Sequence, residues 1–218
     1  MAKDLLWKVG EQYDGSPLDP ADCDPDPFVE VRRWLALAID GGLPTANAMT
    51  LATVDERDRP AARMVLLKEV DDRGFVFYTS YDSRKARDLS AHSHAALVLY
   101  WEPLHRQIRI EGSVEKISAA ESDAYFVTRP RGSQFGAIAS PQSEVLANRE
   151  VLERRVAALV AKYGEGANER PIERPLSWGG YRVVPDMIEL WQGQPSRLHD
   201  RVRYRLSGGV WIRERLAP

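Results

Sequence analysis

Five short segments follow one another between Ala48 and Ile117: "AMTLATVD", "AARMVLLKEV", "GFVFYTS", "AALVLYW" and "RQIRIEGSVEKI". Each is rich in β-branched and aromatic residues, and charged turns such as "ERDRP" and "DDRG" separate them. Such segments fit a pleated, half-buried surface, and five at this spacing point to strands of one antiparallel arrangement. An antiparallel sheet or barrel is therefore expected. More strands are expected after the polar loop "GEGANERPIERP", in "GGYRVVP", "MIELWQG", "RVRYRL" and "GVWIRERL".

Helices interrupt this pattern. Asp26 is placed to cap and Pro27 to open a helix whose stripe is Phe28, Val31, Trp34, Leu35 and Ala38, and Gly41-Gly42 stops it. Ser83 is expected to cap "RKARDLSAH", and Ser118 to Glu121 reads as a capping box opening "SDAYFVTR". A longer helix is expected from Glu144 to Tyr163. Ahead of all of these, "DGSPLDPADCDPDP" mixes prolines with acids and reads as an extended lead-in. The class is α+β: a mainly antiparallel barrel with peripheral helices.

At 218 residues the chain buries roughly 70 % of its unfolded surface, enough for a core without staples. A net charge of -2 with 28 % charged residues gives no global attraction to nucleic acid or to a membrane, so local charge must carry any functional argument. The basic residues are dispersed, which disfavours nucleic acid. Cys23 is the single cysteine, so an internal disulfide is excluded. No apolar run reaches the length of a membrane span, and the N-terminus lacks a secretion pattern, so a cytoplasmic location is expected.

Several basic groups are placed where anions bind. Ser83, Arg84 and Lys85 sit at a helix start, where free N–H groups and the helix dipole favour phosphate; cations there oppose the dipole unless an anion joins them. The alternative is a solvated helix start. Tyr125 and Arg129 are four apart on one helical face, with Ser133 in a loop beyond Pro130: a second phosphate site, or a surface pair. Arg63 and Lys68 lie in one apolar strand at a spacing that puts them on opposite faces. Gln107 shares a face with Arg109 and Glu111. Read as a strand, "SRLHDR" sends Arg197, His199 and Arg201 to one face, where neighbouring charges roughly 7 Å apart repel by about 2 kcal/mol unless an anion or a π system covers them. His92 and His94 in "HSH" lack a third ligand at metal spacing, so no metal is expected.

Seven segments occur in one order: "MTLATVDERDRPAARMVLLK", "GFVFYTSYDSRKARDL", "YWEPLHRQIRIEG", "YFVTRPRGSQFGAIASPQS", "WGGYR", "WQGQPSRLHDR" and the terminal "RLAP". Together, from about Asn47 to Pro218, they resemble the pyridoxine (pyridoxamine) 5'-phosphate oxidase family. The resemblance implies an FMN-binding split β-barrel that forms a homodimer with the flavin at the interface. It implies residues 1–26 as a flexible N-terminal arm and 27–218 as one domain that includes the C-terminal dimerisation and substrate region. The positions matching FMN contacts are Arg63, Met64, Val65, Leu66, Leu67, Lys68, Tyr78, Thr79, Arg84, Lys85, Gln107, Gln142, Ser143, Trp191 and Arg201. Substrate phosphate would meet Lys68, Tyr125, Arg129 and Ser133. Arg197, Leu198 and His199 would lie at the pyridine ring, with Arg197 and His199 as the catalytic pair. The implied partners are pyridoxamine 5'-phosphate, pyridoxine 5'-phosphate and O2.

The chain departs from the family pattern at three positions. Gly10 stands where an arginine is frequent, Asp58 where a turn glycine is usual, and Ile138 where a tryptophan is frequent. Two rivals follow from the same residues. One is a related split-barrel flavin oxidase acting on another substrate, such as those of phenazine assembly; the other is a module that carries flavin or pyridoxal phosphate without redox turnover.

Overall fold

A computed structural model of the chain describes residues 13–164 and 169–218. Helix α1 (Pro27–Asp40) starts as its sequence requires: the Asp26 carboxylate accepts the Phe28 N–H at 2.8 Å, and Phe28, Val31, Trp34, Leu35 and Ala38 are buried. Strands β1 (Ala48–Val54) and β2 (Pro60–Leu66) form a hairpin whose turn holds Asp58 at φ 58°. That left-handed angle explains why glycine is usual there, and aspartate is among the residues that tolerate it.

The segment "AARMVLLKEV" is not one strand. Leu67 N–H still reaches Asn47 O (2.8 Å), but Lys68 N–H turns to Val76 O (2.8 Å), so the chain rounds a corner into β3 (Glu69–Asp71) and β4 (Gly74–Ser80). Lys68 therefore stands at a corner, and the opposite-face relation to Arg63 expected of a regular strand does not apply.

Helix α2 (Arg84–Ala91) follows, then β5 (His94–Trp101) and β6 (Arg106–Lys116). Ser83 holds the N-cap position, yet its hydroxyl donates to Ser80 O (2.7 Å) instead of capping. Helix α3 (Ala119–Thr128) has the expected capping box between Ser118 and Glu121. Beyond Pro130 the structure forms helix α4 (Arg131–Ala139), not the loop expected around Ser133. Pro130 fixes its own φ at the N-cap and needs no N–H there, so it opens a helix where a proline ordinarily signals a break. Helix α5 (Arg149–Tyr163) begins five residues later than expected, at an Asn148 cap whose side chain accepts the Val151 N–H.

Strand β7 (Trp178–Gln192) runs unbroken through Pro185, where two strands were expected. One edge pairs with β6, and a register shift at Glu111/Gly112 leaves Asp186 unpaired as a bulge. The other edge pairs with β4 over Trp178–Val183 and with β8 (Asp200–Ser207) over Met187–Gln192. The change of partner falls at Pro185, which has no N–H to donate, so the same residue that reads as a breaker marks the split in the sheet. Strand β9 (Val210–Leu216) pairs with β8. All pairings are antiparallel, in the order β2-β1-β5-β6-β7-β4-β3 with β8 and β9 branching from β7. The fold is the expected split barrel.

Two cores result. The barrel interior holds Met49, Leu51, Phe75, Phe77, Leu97, Ile108, Ile188 and Leu190, closed by α1. A smaller cluster, Phe126, Phe135, Ile172 and Trp178, packs α3, α4 and α5 against the outside of β4 and β7, with Tyr78, Tyr125 and Ile138 at its margin. Residues 13–26 run along β8 and β9: Leu18 N–H meets Asp200 (3.1 Å), Tyr204 Oη donates to Asp24 O (2.8 Å) and Arg215 to Leu18 O (3.0 Å). Gly10 lies outside the described residues. Among those described, no helix is long and apolar enough to cross a membrane.

Candidate active site

The second core forms the floor of a cleft of about 620 Å³, within the range of small-ligand sites. Its walls come from six places in the chain: Met64, Val65 and Leu66 of β2 with the corner residue Lys68; Tyr78 and Thr79 of β4; Lys85 of α2; Tyr125, Arg129 and Ser133 around the α3–α4 junction; Gln142 beyond α4; and Trp178 at the start of β7. The two anion sites suspected from sequence, one at the start of α2 and one at the end of α3, thus open into the same cleft.

Lys85 is only 8 % exposed, and its ammonium donates to three neutral oxygens: Gln142 Oε1 (2.8 Å), Thr79 Oγ1 (3.1 Å) and Ser83 Oγ (3.3 Å). Burial, reinforced by the nearby Arg63 charge and opposed by Asp88, pulls its pKa down to about 8. Arg129 is held differently. Its guanidinium carbon lies 4.5 Å from the Trp178 ring centroid and 5.8 Å from that of Phe126, while its Nη1 is buried without a hydrogen-bond partner. Burial lowers its pKa from the ordinary guanidinium value. Tyr78 stacks on Tyr125 (3.9 Å, 19°), and burial, then nearby acidic groups, push its phenol up to about 12, so it remains a proton donor.

A desolvated cation without a carboxylate is costly, and an orphaned buried N–H adds its own penalty. Lys85 carries the first feature and Arg129 both, and the two face one cleft. A ligand with phosphate groups supplies the absent acceptors, so the residues fit the phosphates of FMN and of a phosphorylated substrate.

Other expected residues lie elsewhere. The Arg63 guanidinium turns to Thr53 Oγ1 (2.6 Å) and to the buried Asp88 carboxylate (3.3 Å), and Leu67 belongs to the barrel core. Arg84 and Ser143 meet at the cleft's rim, where the Arg84 N–H donates to Ser143 Oγ (3.1 Å). Gln107, Trp191 and Arg201 form a single rung across β6, β7 and β8. There Arg201 makes a two-pronged contact with Glu189 (2.8 and 3.0 Å), which is nearly buried and also takes Arg109 at 3.3 Å.

"SRLHDR" is not a strand. Pro195–Arg197 form a 3-10 turn in which Ser196 and Arg197 have φ 57° and 61°, and β8 begins only at Asp200. Pro195 cannot donate to a ladder, so pairing starts late and the three cationic groups do not share a strand face. Arg197 and Leu198 are exposed. His199 rests on Trp191 (4.7 Å) and on the edge of Tyr13 (5.1 Å), and its Nδ1 accepts the Gln194 N–H at 3.1 Å. That bond leaves Nε2 to carry the proton of the neutral ring. Burial, helped by the Arg197 charge, lowers the His199 pKa.

Tyr78 faces Gly180 and Gln107 faces Trp191, so the cleft and the His199 cluster stand eleven residues apart on β7, roughly 36 Å of strand. Three residues that shape these regions were not among the expected ones: Trp178, Asp88 and Glu189. The signal for Trp178 was present in "WGGYR"; nothing local marks the other two, whose partners come from distant strands.

The family model described as pyridoxamine 5'-phosphate oxidase matches residues 36–163, and one described as the pyridoxine 5'-phosphate oxidase C-terminal dimerisation region matches residues 178–218. A pyridoxine/pyridoxamine 5'-phosphate oxidase of Thermosynechococcus vestitus is 60 % identical over 91 % of this chain and 92 % of its own length. One from Paraburkholderia phymatum is 54 % identical over 98 % and 99 %. Among solved structures, PhzG of Burkholderia lata, crystallised with tetrahydrophenazine-1-carboxylic acid, superposes with a TM-score of 0.87 at 31 % identity, covering 95 % of this chain and 100 % of that one. A pyridoxamine 5'-phosphate oxidase-related, FMN-binding protein of Nostoc punctiforme shares the fold at a TM-score of 0.70 and 18 % identity, over 88 % and 97 % of the two chains.

Proposed function

The chain belongs to the pyridoxamine 5'-phosphate oxidase family, and from that premise we propose that it oxidises pyridoxamine 5'-phosphate and pyridoxine 5'-phosphate to pyridoxal 5'-phosphate with FMN as cofactor. The observation that carries the substrate assignment is Arg129: a half-buried guanidinium whose Nη1 is buried without a partner, in a cleft that also presents Lys68, Tyr125 and Ser133. A substrate without an anionic group gives these groups nothing to bind, and a phosphate offers acceptor oxygens to several of them at once.

FMN, when bound, supplies a two-electron acceptor for the hydride leaving the substrate's C4' carbon; O2 reoxidises it to give H2O2, and water releases ammonia when the substrate is the amine. The residues do the rest. Lys85, Thr79 and Gln142, with Arg84 and Ser143 at the rim, hold the cofactor phosphate; Lys68, Tyr125, Arg129 and Ser133 hold that of the substrate. His199 donates from Nε2, the nitrogen left protonated by its bond to Gln194, and Arg197 sits over the pyridine ring to stabilise negative charge. The cleft and the Arg197–His199 turn lie at opposite ends of β7, which favours a ligand held between two chains over one chain bringing both groups together. A homodimer, supported by the match to the C-terminal dimerisation region, joins the cleft of one protomer to the Arg197–His199 turn of the other.

The test is aerobic incubation of the purified protein with pyridoxamine 5'-phosphate. The reading requires a yellow, FMN-containing protein that forms pyridoxal 5'-phosphate and peroxide, and a colourless protein indifferent to FMN refutes it. Arg197→Met should keep the flavin and lose about two orders of magnitude in turnover. The likeness to PhzG supports a second reading, an oxidase of the same fold acting on a non-phosphorylated ring. Flavin binding with no turnover of the phosphorylated vitamers would favour it.

A further inference from the structure

The "WGG" of the sequence, Trp178-Gly179-Gly180, has no role in the reading above, yet it lies at the centre of the cleft floor. The Trp178 ring is 5 % exposed and parallel to those of Tyr78 (5.4 Å, 13°) and Tyr125 (6.3 Å, 7°), with the Arg129 guanidinium against it at 4.5 Å. One side chain at the start of β7 thus meets a ring from β4, Tyr125 of α3 and Arg129 at the C-cap of that helix. The glycines that follow make room for this. A Cβ on Gly179 would collide with the Tyr81 hydroxyl, and one on Gly180 with Ile117 while coming within 3.0 Å of Tyr78 Cε1. With both positions bare, the Gly180 N–H reaches Ser122 Oγ of α3 at 3.2 Å.

The choice of an indole has a physical consequence. An arginine is usually fixed by a carboxylate, which neutralises it and occupies its donors. An aromatic face attracts the cation through its quadrupole and leaves the in-plane N–H groups free. Among the described residues, no carboxylate pairs with Arg129.

We infer that Trp178 is a positioning residue for the substrate-phosphate site: it holds Arg129 in place with its charge uncompensated and keeps Tyr125 in register beside it. The inference rests on the phosphate reading of the cleft. It assigns the affinity for phosphate partly to a residue that never touches phosphate.

The experiment compares Trp178→Leu and Trp178→Phe, both loaded with FMN, using pyridoxamine 5'-phosphate, unphosphorylated pyridoxamine, and inorganic phosphate as competitor. In the Leu variant KM for the phosphorylated substrate should rise about ten- to thirtyfold with kcat changed less than about threefold, and competition by inorganic phosphate should weaken in parallel. The loss for unphosphorylated pyridoxamine should be several-fold smaller. Phe, a weaker platform of similar shape, should restore most of the affinity. FMN content and melting temperature on the same samples identify a folding failure in the Leu variant, in which case the Phe variant alone must show a measurable rise in KM. Equal losses on both substrates, or an unchanged KM in a folded variant, overturn the inference. Should the wild type oxidise neither substrate, the proposed function fails, while titration with inorganic phosphate still reads the effect of Trp178.

Discussion

Toward the Gln192 end of β7, arginines meet carboxylates: Arg201 and Arg109 share Glu189, Arg203 meets Glu214 at 2.6 Å, and Arg215 bridges Asp19 and Asp200. Toward the Trp178 end the arginines away from the cleft are paired as well, Arg174 with Asp123 and Arg182 with Asp71 and Glu121, but at the cleft itself Arg129 meets aromatic rings and Lys85 meets only neutral oxygens. Both ends are rich in cations, so charge count does not tell them apart. What differs is compensation at the cleft. Paired cations lower the cost of burying charge and fasten strands to one another, whereas uncompensated ones keep an unmet demand for an anion. Where a fold tolerates that demand, next to a cleft, a ligand is the economical explanation. Arg63 stands between the two cases, half-buried at the cleft's back and satisfied by Asp88 and Thr53.

The contrast is tested most severely at Arg129. Arg129→Met should lower kcat/KM for pyridoxamine 5'-phosphate by about two orders of magnitude without lowering the melting temperature, since no partner is left unpaired. A variant that keeps its activity, or one that unfolds, would move Arg129 to the structural side. Glu189→Gln should do the reverse: a loss of about 1–3 kcal/mol in urea unfolding, less than for a fully buried pair because both arginines are partly exposed.

Lys85→Met should weaken FMN binding about tenfold or more, measured by quenching of flavin fluorescence, while the apoprotein's melting temperature rises. Its pH counterpart has a defined sign. Lys85 titrates near 8 when folded and near 10.5 when unfolded, so between these values the unfolded chain holds the extra proton and stability increases with pH. Affinity of the apoprotein for FMN should fall over the same rise through about 8.

The smallest effect is at His199. Its lowered pKa means that stability from the neutral ring is present above the ordinary value of 6.5 and is lost as pH falls through the folded value. Arg197→Met, which removes one of the two causes, should move the NMR titration midpoint of His199 back toward 6.5. A midpoint that stays put would show that burial alone sets it.

Much of the fold was legible. The α1 cap at Asp26, the capping box at Ser118, the strand segments from Ala48 and the turn at Asp58 all follow from rules that act within a few residues. Proline was the common source of error. Pro130 and Pro185 each read as interruptions, yet one opens a helix and one lies inside a strand at a bulge, while Pro195, just ahead of a segment that reads as a strand, delays it. A missing N–H is harmless wherever the local partner has no use for it, and that depends on what lies across the ladder.

The sequence by itself determined which groups could bind anions and the order of elements that carries them, because residue chemistry and local periodicity need no partner. Only the tertiary structure decided that Arg63 is satisfied by Asp88 and Arg201 by Glu189, while Lys85 and Arg129 are left to face one cleft. Desolvation and pairing are set by neighbours that strand register brings together from distant parts of the chain, so no reading of nearby residues contains them.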